Sequence, residues 1–414
     1  MKILYLSAYS APEKAASSYL GANRNQAFVD AGFRMVNYSP VPTRGVSRAT
    51  RKEYLWHHRR EERFDGKFVL HRFYLMPESK HTVQRFLRYF LQDIKQFNRA
   101  VFHRDARSCD LLFLLSTPPL HGAMGALVSK VRHIPFVYNL QDIFPDSLVG
   151  TGLTRKGSLL WRIGRKIEDF TYRNADRIIV ISEDFKRNIL AKGVPEEKIE
   201  VIYNWVDEEA VVDVPRSDNV LLDRYGLDPD KFYVTYCGNI GLTQNMDLLL
   251  DVAQSLQVRE PAIQFVLVGE GADKARVEAQ VAVRGLQNVT LLPFQPYEDI
   301  SHVFSLGDAS LVISKPGVGE NSVPSKTWSI LSASRPVIAS FDENELRDII
   351  RDHSCGLFVP AGDKEALEAA VLDLFHHPEK AREFGRNGRR FILENLTRAV
   401  GTRKYVDVIK SFEK

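Results

Sequence analysis

Short apolar runs alternate with amphipathic stretches along almost the whole chain, and this alternation constrains the fold more than any other feature. The first series of candidate strands covers residues 3–7, 34–39, 68–74, 111–116, 136–139, 177–181 and 198–203. The second series covers residues 233–237, 264–268, 289–293, 309–313, 336–339 and 356–359. Strands that alternate with helices form parallel sheets with right-handed crossovers. The two series therefore predict an α/β protein with two doubly wound, Rossmann-like domains.

The boundary between the two series lies at residues 204–207. The segment 208–229 that follows contains several turn-forming residues and has little periodicity, which predicts an exposed linker. We expect an N-terminal domain over residues 1–206, a C-terminal domain over residues 207–395, and a last helical segment over residues 396–414. A chain of 414 residues, 44% of them hydrophobic, is long enough to bury two cores of ordinary size.

Composition limits the classes of partner and the cellular compartments that the sequence predicts. The net charge of +4 is too small to predict a nucleic-acid partner. Cys109, Cys237 and Cys355 lie far apart without metal-site spacing, which is typical of a reduced cytosol. The first seven residues hold too short an apolar run for a signal peptide, and no run reaches the roughly 20 apolar residues that cross a bilayer. We expect a cytoplasmic protein whose contact with a membrane would be peripheral.

Two basic segments of the N-terminal domain indicate such a contact. Residues 44–63 carry a series of Arg and Lys side chains around Trp56. Residues 85–107 are predicted to form one long amphipathic helix, with apolar side chains at helical spacing and basic side chains between them. A basic amphipathic helix can lie on an anionic membrane at the inner face of the plasma membrane. The same pattern also fits a core-facing helix with a solvated basic face, and the sequence leaves both interpretations open.

The stretch from residue 314 to residue 340 carries the strongest signal for a binding site. It predicts a strand, a loop rich in Gly and polar residues, a helix and a second strand. The segment Ser322-Val323-Pro324-Ser325-Lys326 is typical of a helix start, with a Ser before it and a Pro in the first turn. Free amides at a helix N-terminus, together with hydroxyl and ammonium groups, bind phosphate. We therefore predict a phosphate site here.

Other candidate loops follow strands, at the edge where doubly wound folds bind ligands. In the C-terminal series they are the turn Gly238-Asn239-Ile240-Gly241, the turn Gly269-Glu270-Gly271 and the segment 292–296. In the N-terminal series they are residues 7–20 and 138–146. Each of these loops can also be an ordinary connection. The Asp228-Pro229-Asp230 sequence mimics an Asp-x-Asp metal motif, but its place beside Pro predicts a turn, and no metal site follows.

Several of these segments together resemble the retaining family 4 glycosyltransferases. The sequences ADRIIVISEDF (residues 175–185) and IEVIYNWVD (residues 199–207) are similar to that family's hinge signature, and residues 314–340 are similar to its donor-sugar loop. Within the family, the chain resembles the WbuB-like bacterial polysaccharide and O-antigen transferases. The resemblance implies a GT-B fold, in which two Rossmann-like domains face a central cleft and the final helix packs back on the N-terminal domain.

The chain departs from the family pattern at four places. Trp205 replaces a Gly in the hinge signature, and Gln141 stands where a His is expected beside Asp142. The usual Arg and Lys that hold the diphosphate are missing near Asn239 and Gln244. Glu320 matches the first Glu of the donor motif, but the second would fall at Trp328.

What the resemblance implies for individual residues can be stated by role. It assigns catalytic roles to Asp142 and Glu320, with Lys326 as the substitute for the missing diphosphate clamp. Glu320 would hold donor-sugar hydroxyls, and Asp142 would orient the acceptor or the transferred sugar. The residues expected to bind the donor nucleotide sugar are Gly238, Asn239, Gly241, Gly269, Glu270, Phe294, Gln295, Asn321, Ser322, Val323 and Ser325.

The implied reaction is transfer of a sugar from a nucleotide diphosphate, a UDP-sugar above all, to a lipid-linked saccharide in cell-surface polysaccharide biosynthesis. The resemblance implies retention of anomeric configuration, with no metal and no other cofactor. Two alternatives stay open on sequence grounds. One is a UDP-sugar 2-epimerase on the same architecture, and the other is a catalytically silent partner subunit of a true transferase.

Overall fold

A computed structural model of the chain describes residues 1–13, 18–79, 81–150, 154–319 and 323–413. The chain divides into two compact units. The N-terminal unit contains residues 1–203 and 402–414, and the C-terminal unit contains residues 204–401. The described part of the chain contains no helix that is long and apolar enough to cross a membrane.

The N-terminal unit is built on an eight-stranded sheet of order β3-β4-β2-β1-β5-β6-β7-β8. Its strands are β1 (Lys2–Leu6), β2 (Arg34–Pro40), β3 (Arg60–Arg63), β4 (Phe68–Phe73), β5 (Leu111–Leu115), β6 (Phe136–Leu140), β7 (Arg177–Val180) and β8 (Ile199–Val201). All neighbouring pairs are parallel except β3 and β4, which are antiparallel. The central strands are mostly apolar because helices cover both faces of a doubly wound sheet.

Helices connect these strands. They are α1 (Ser18–Asp30), α2 (Arg48–Trp56), α3 (Thr82–Phe102), α4 (Arg104–Arg107), α5 (His121–Arg132), α6 (Asp146–Gly150), α7 (Leu159–Asn174) and α8 (Glu183–Ala191). Ser158 and Ser182 start α7 and α8 by accepting hydrogen bonds from backbone amides of the first turn. The core includes Leu4, Leu112 and Phe136, all fully buried.

The C-terminal unit contains a six-stranded parallel sheet of order β11-β10-β9-β12-β13-β14. Its strands are β9 (Phe232–Cys237), β10 (Ile263–Val268), β11 (Val289–Leu292), β12 (Ala309–Ile313), β13 (Val337–Phe341) and β14 (Gly356–Pro360). Its helices are α9 (Val220–Tyr225), α10 (Met246–Arg259), α11 (Lys274–Val283), α12 (Ile300–Ser305), α13 (Lys326–Ser332), α14 (Glu345–Asp352), α15 (Lys364–His376) and α16 (Pro378–Asn395). The last helix of the chain, α17 (Arg398–Lys410), contains the second boundary between the units.

The alternation in the sequence predicted both sheets correctly, strand by strand, with the exception of β3. That strand is short and entirely charged, so it has no apolar pattern to detect. It pairs with the edge of β4, and Glu61 bonds to Arg63 and to the buried guanidinium of Arg72.

Two other predictions were wrong. The segment 208–229 is not an exposed linker: Val211 and Leu221 are buried in the C-terminal unit, and residues 220–225 form α9. Hydroxyl groups of Ser301 and Ser305 accept hydrogen bonds from its backbone amides, which explains how an aperiodic segment is held in place. The helix predicted over residues 85–107 ends at Phe102, and His103 separates it from α4.

Candidate functional site

Five loops of the C-terminal unit follow β9, β10, β11, β12 and β13. Because this sheet is parallel, all five loops lie along one edge. They include the segments that the sequence singled out as ligand-binding loops. The structure therefore brings together the candidate donor-binding residues that it describes in this unit.

The loops after β9 and β10 are in direct contact, and glycine makes the contact possible. Gly269 has a φ of +156°, and a Cβ atom at this position would lie 1.9 Å from the carbonyl oxygen of Gly238. The Gly238 amide donates to the carbonyl of Val268, and the Ile240 amide donates to the carbonyl of Glu270. No larger side chain fits at Gly269 without separating the two loops.

This packing corrects the role expected for the turn at residues 238–241. The amides of Gly238 and Ile240 already donate to the β10 loop, and the Gly241 amide donates to Oε1 of Gln244 at 3.1 Å. Most of the turn's amides therefore support the loop itself rather than face a phosphate. Asn239 is exposed beside them, and the exposed carboxylate of Glu270 pairs with Lys274 at 2.6 Å, which lowers the Glu270 pKa.

Lys326 is a cation at this edge of the sheet. It is the first residue of α13, and its Nζ lies 3.2 Å from the point where a Cβ of Gly238 would stand. The same nitrogen lies 3.8 Å from the ring centre of Tyr236, whose hydroxyl donates to the carbonyl of Asn239. Part of the Lys326 side chain is exposed, but protein atoms surround the ammonium group. That desolvation lowers the pKa of Lys326 to about 8, and nearby Cys237 opposes the shift.

An ammonium group in such a position favours an anionic ligand. Among the residues that the structure describes, no carboxylate pairs with Lys326. The cation–π contact with Tyr236 supplies only part of the stabilisation that water would give. A phosphate placed next to Lys326 and Gly238 would supply the missing negative charge.

The donor loop is held by two polar side chains that follow β13. The carboxylate of Asp342 accepts hydrogen bonds from the amides of Gly317 and Gly319, at 2.9 and 2.7 Å. The side-chain amide of Asn344 donates to the carbonyl of Gly319. Sequence reasoning missed Asp342 and Asn344, although their place directly after a buried strand was the signal that identified the other loops.

Several predicted residues of the donor loop cannot be placed. Glu320, Asn321 and Ser322 lie outside the described residues. Val323 and Ser325 precede α13, and the Ser325 side chain makes no capping hydrogen bond. The helix thus begins at Lys326, with Ser325 and not the predicted Ser322 directly before it. Trp328, at the place of the second Glu, is buried in α13, so this helix supplies no second carboxylate there.

The segment after β11 combines an exposed ring with an engaged amide. Phe294 is 73% exposed, so its ring is free to stack on a flat ligand such as a nucleobase. Gln295 is buried, and its amide group donates to the hydroxyl of Tyr225 and to the carbonyl of Pro293. The Gln295 side chain therefore supports the loop, and only backbone groups of this residue could contact a ligand.

Asp142 lies in the N-terminal unit, at the carboxyl edge of its own sheet after β6. Its backbone amide and that of Gln141 both donate to the hydroxyl of Ser116. Although the residue is exposed, protein atoms around the carboxyl group raise its pKa, and a hydrogen bond from Ser147 opposes the shift. Gln141 donates to Asn139, which in turn donates to the hydroxyl of Tyr405. Gln141 thus belongs to a hydrogen-bond network of the N-terminal unit.

Asp146, a few residues further on, is a packing residue. It accepts hydrogen bonds from Trp161 and Asn188 and forms a salt bridge with Lys192 at 2.7 Å. Lys192 also pairs with the buried Glu168. These bonds hold α6 against α7 and α8 and lower the pKa of Asp146 despite its partial burial.

Comparison with known proteins agrees with this arrangement. The family described as Glycosyltransferase Family 4 matches residues 42–210, and the family described as Glycosyl transferases group 1 matches residues 219–391. WcaI of Escherichia coli (strain K12), provisionally assigned as a colanic acid biosynthesis glycosyl transferase, is 28% identical over 353 residues, which are 83% of this chain and 84% of WcaI.

Solved structures show the same fold. Alr3699/HepE of Anabaena, crystallised with UDP, superposes with a TM-score of 0.74 at 16% identity and covers 100% of both chains. Sucrose-phosphate synthase of Thermosynechococcus elongatus superposes with a TM-score of 0.74 at 16% identity, covering 99% of this chain and 98% of that one. With both sheets, the loops at their carboxyl edges and the two family matches in agreement, the chain belongs to the family 4 glycosyltransferases of the GT-B fold.

Proposed function

We propose that this chain transfers a sugar from a UDP-sugar to a hydroxyl group of a lipid-linked saccharide during bacterial polysaccharide biosynthesis. The observation that carries the donor half of this proposal is Lys326, a desolvated ammonium group without a carboxylate partner among the described residues, next to the backbone of Gly238. HepE supports UDP as the nucleotide, because that relative in fold was crystallised with UDP. WcaI supports polysaccharide biosynthesis as the setting.

The proposed chemistry needs positive charge at the leaving diphosphate. As the bond to the sugar breaks, negative charge develops on the diphosphate oxygens, and a preorganised cation in a water-poor site stabilises it. Lys326 supplies this charge, while Asp342 holds the amides of Gly317 and Gly319 in the donor loop. We assign Glu320 to the donor-sugar hydroxyls and Asp142 to the acceptor, with retention of configuration and no metal ion, as the family resemblance implies.

Ligand-induced stabilisation tests the donor site directly. The chain is heated with UDP, GDP, ADP and their common sugars, each with and without EDTA. A nucleotide present at 100 times its Kd should add about 2.7 kcal/mol of stability. We expect a shift with UDP compounds that survives EDTA, while the absence of a shift with every nucleotide would contradict the proposal.

Turnover separates the remaining functions. The purified chain is incubated with the UDP-sugar that binds and with a lipid-linked saccharide fraction, and the anomeric configuration of the product is read by NMR. Product formation that depends on the acceptor and retains the configuration supports the proposal. Conversion of the UDP-sugar without acceptor would indicate an epimerase, and binding without turnover would indicate a silent subunit.

We also propose that the N-terminal unit lies on the anionic inner face of the plasma membrane, where a lipid-linked acceptor is found. The carrying observation is the orientation of α3, which is opposite to that of an ordinary core helix. Large apolar side chains are exposed along this helix at Val83, Phe86, Leu87, Phe90 and Ile94. Exposing such a continuous apolar face to water is unfavourable, which marks it as a contact surface.

The inner face of α3 is polar, and two of its long polar side chains form hydrogen bonds within the unit. The fully buried Arg88 donates to the carbonyl of Met76 and to the hydroxyl of Thr43. Gln96 donates to the carbonyls of Ser7 and Tyr38. The helix therefore cannot turn its apolar face inward without breaking these bonds. This supports an outward-facing role for the apolar side chains of residues 83–94.

Charge distinguishes a membrane from a protein partner for this face. Helix α5 packs between α3 and α7, and α7 also exposes apolar side chains at Leu159, Leu160 and Ile163. Arg155, Lys156, Arg162 and Lys166 are exposed on and just before this helix, and Arg85 is exposed on α3. Apolar side chains interleaved with basic ones match the acyl boundary and the anionic headgroups of a bilayer.

A matched pair of substitutions tests the membrane contact. Leu87→Ser on α3 should weaken co-sedimentation with phosphatidylglycerol vesicles, because it removes an apolar side chain from the proposed surface. Leu393→Ser on α16 is the control, since the two leucines are 47% and 48% exposed. Equal loss of binding in both variants, or binding that does not depend on anionic lipid, would contradict the proposal.

A further inference from the structure

Two histidines and an aspartate of the N-terminal unit meet at the C-terminal end of α3. His71 comes from β4, His103 separates α3 from α4, and Asp105 lies in α4. The three possible ligand atoms lie within 4.8 Å of one another. Nε2 of His71 and Oδ2 of Asp105 are already 2.8 Å apart. None of these residues belongs to the loops proposed to bind the sugar donor.

We propose that His71, His103 and Asp105 form a Zn²⁺ site. Two imidazole nitrogens and one carboxylate oxygen are a ligand set that Zn²⁺ accepts, with water in the fourth position. In a tetrahedral site with bonds of about 2.0–2.1 Å, ligand atoms stand roughly 3.3 Å apart. Because the present separations extend from 2.8 Å to at most 4.8 Å, small side-chain rotations are enough to reach that geometry.

Tyr38 holds the two imidazole rings in place. Its hydroxyl lies 2.8 Å from Nδ1 of His103, so Nε2 is the nitrogen of His103 that can bind the metal. The Tyr38 ring also stacks on His71, with ring centres 5.1 Å apart and planes 12° from parallel. Tyr38 is fully buried on β2, directly across from His71 in the β2–β4 register. In metal sites, the histidine nitrogen that does not bind the metal usually forms a hydrogen bond that fixes the ring.

The contact between His71 and Asp105 is the place where Zn²⁺ would exchange with a proton. In the metal-free protein, Nε2 of His71 donates a proton to Asp105. Zn²⁺ takes the place of that proton, which is released to solvent, and it coordinates both partners.

Neighbouring charge limits the affinity. Arg60 interacts electrostatically with His71, and Lys2 interacts electrostatically with Asp105. Both cations make a further positive charge at the site less favourable. Only Asp105 supplies negative charge among the three ligands. We therefore expect a site that fills at micromolar rather than nanomolar Zn²⁺. The bound metal would join β4 to the junction between α3 and α4. It would therefore stabilise the C-terminal end of α3, the helix whose earlier turns carry the exposed apolar side chains.

Metal titration of the full chain tests the site. After dialysis against EDTA and removal of the chelator, Zn²⁺ should raise the unfolding temperature and Mg²⁺ should not, because imidazole suits Zn²⁺ and not Mg²⁺. Co²⁺ should produce visible absorption bands typical of low coordination number. His103→Ala and Asp105→Asn should each weaken Zn²⁺ binding by about 100-fold or more. Tyr38→Phe should weaken it by roughly 10–100-fold, the range for a residue that supports a ligand.

A histidine–carboxylate pair elsewhere in the unit provides the control. His58 lies 3.3 Å from Glu53, so His58→Ala removes a similar pair and should leave Zn²⁺ binding unchanged. His103→Ala is the decisive variant, because His103 is exposed and its loss leaves the His71–Asp105 bond intact. Equal Zn²⁺ binding by the unaltered chain and by His103→Ala would overturn the proposal, as would the absence of a Co²⁺ spectrum at millimolar metal.

Discussion

Replacing Lys326 with Met should stabilise the C-terminal unit while it removes the donor site. Met has nearly the same length as Lys but needs no water and no counter-ion. Burial lowers the pKa of Lys326 from its ordinary value of 10.5 to about 8. Since one pKa unit corresponds to about 1.36 kcal/mol, the charged form is disfavoured in the folded unit by about 3 kcal/mol. Met cannot form the cation–π contact with Tyr236, and this loss offsets up to about 2 kcal/mol of the stability gained by removing the charge. We expect a net gain of roughly 1–3 kcal/mol at pH 7.

The sign of the pH dependence follows from the two pKa values. The unfolded chain holds the Lys326 proton up to about pH 10.5, whereas the folded unit releases it near pH 8. The unfolded state thus binds more protons between these values, and the stability of the unaltered unit rises with pH across this window. The advantage of Lys326→Met is therefore full below about pH 8, and it disappears as the pH approaches 10.5.

Hydrogen exchange of amides in β9, β12 and β13 measures this stability, because it reports on one unit of a two-unit chain. Lys380→Met is the matched control, since the Lys380 ammonium group is paired with Asp373 at 2.6 Å and its loss should bring no gain. The same samples are titrated with UDP. A variant that is less stable than the unaltered chain at pH 7, or one that keeps the thermal shift with UDP, would refute the argument.

Three further outcomes are expected at the carboxyl edge of this sheet. The Kd for UDP should rise with pH above about 8, because Lys326 loses its charge there. Isothermal titration calorimetry across pH 6–10 measures this change. A Kd that does not depend on pH would contradict an ion pair between Lys326 and the UDP diphosphate. Gly269→Ala should destabilise the unit by roughly 1–3 kcal/mol and abolish UDP binding, since its Cβ would meet the carbonyl of Gly238. In the same chemical denaturation, Gly285→Ala, at a φ of +63° in open space, should cost only about 1 kcal/mol. Asp342→Ala removes two hydrogen bonds from the donor loop. It should weaken UDP-sugar binding about tenfold or more, with little change in global stability. Unchanged affinity for the UDP-sugar would show that the loop does not need these hydrogen bonds.

The two sheets were accessible to sequence reasoning because a strand buried on both faces must be apolar along its length. The same reasoning placed the candidate loops together, since parallel strands deliver their following residues to one edge. It failed at β3, where four charged residues form a strand by pairing with β4 and by placing Glu61 against Arg72. It failed again at residues 208–229, where hydroxyl groups from α12 hold the backbone without any periodic pattern.

Local sequence determined which segments become strands, helices and loops, and it determined that Lys326 follows a loop at a sheet edge. It could not show that the Lys326 ammonium group is desolvated against Tyr236, or that most amides of the 238–241 turn are already engaged, because both depend on contacts between separate loops. The direction in which α3 faces was equally undecided. An amphipathic pattern specifies that the two sides of a helix differ, but not which side is buried. The hydrogen bonds of the buried Arg88 and Gln96 to distant strands and loops decided that these apolar side chains of α3 face outward.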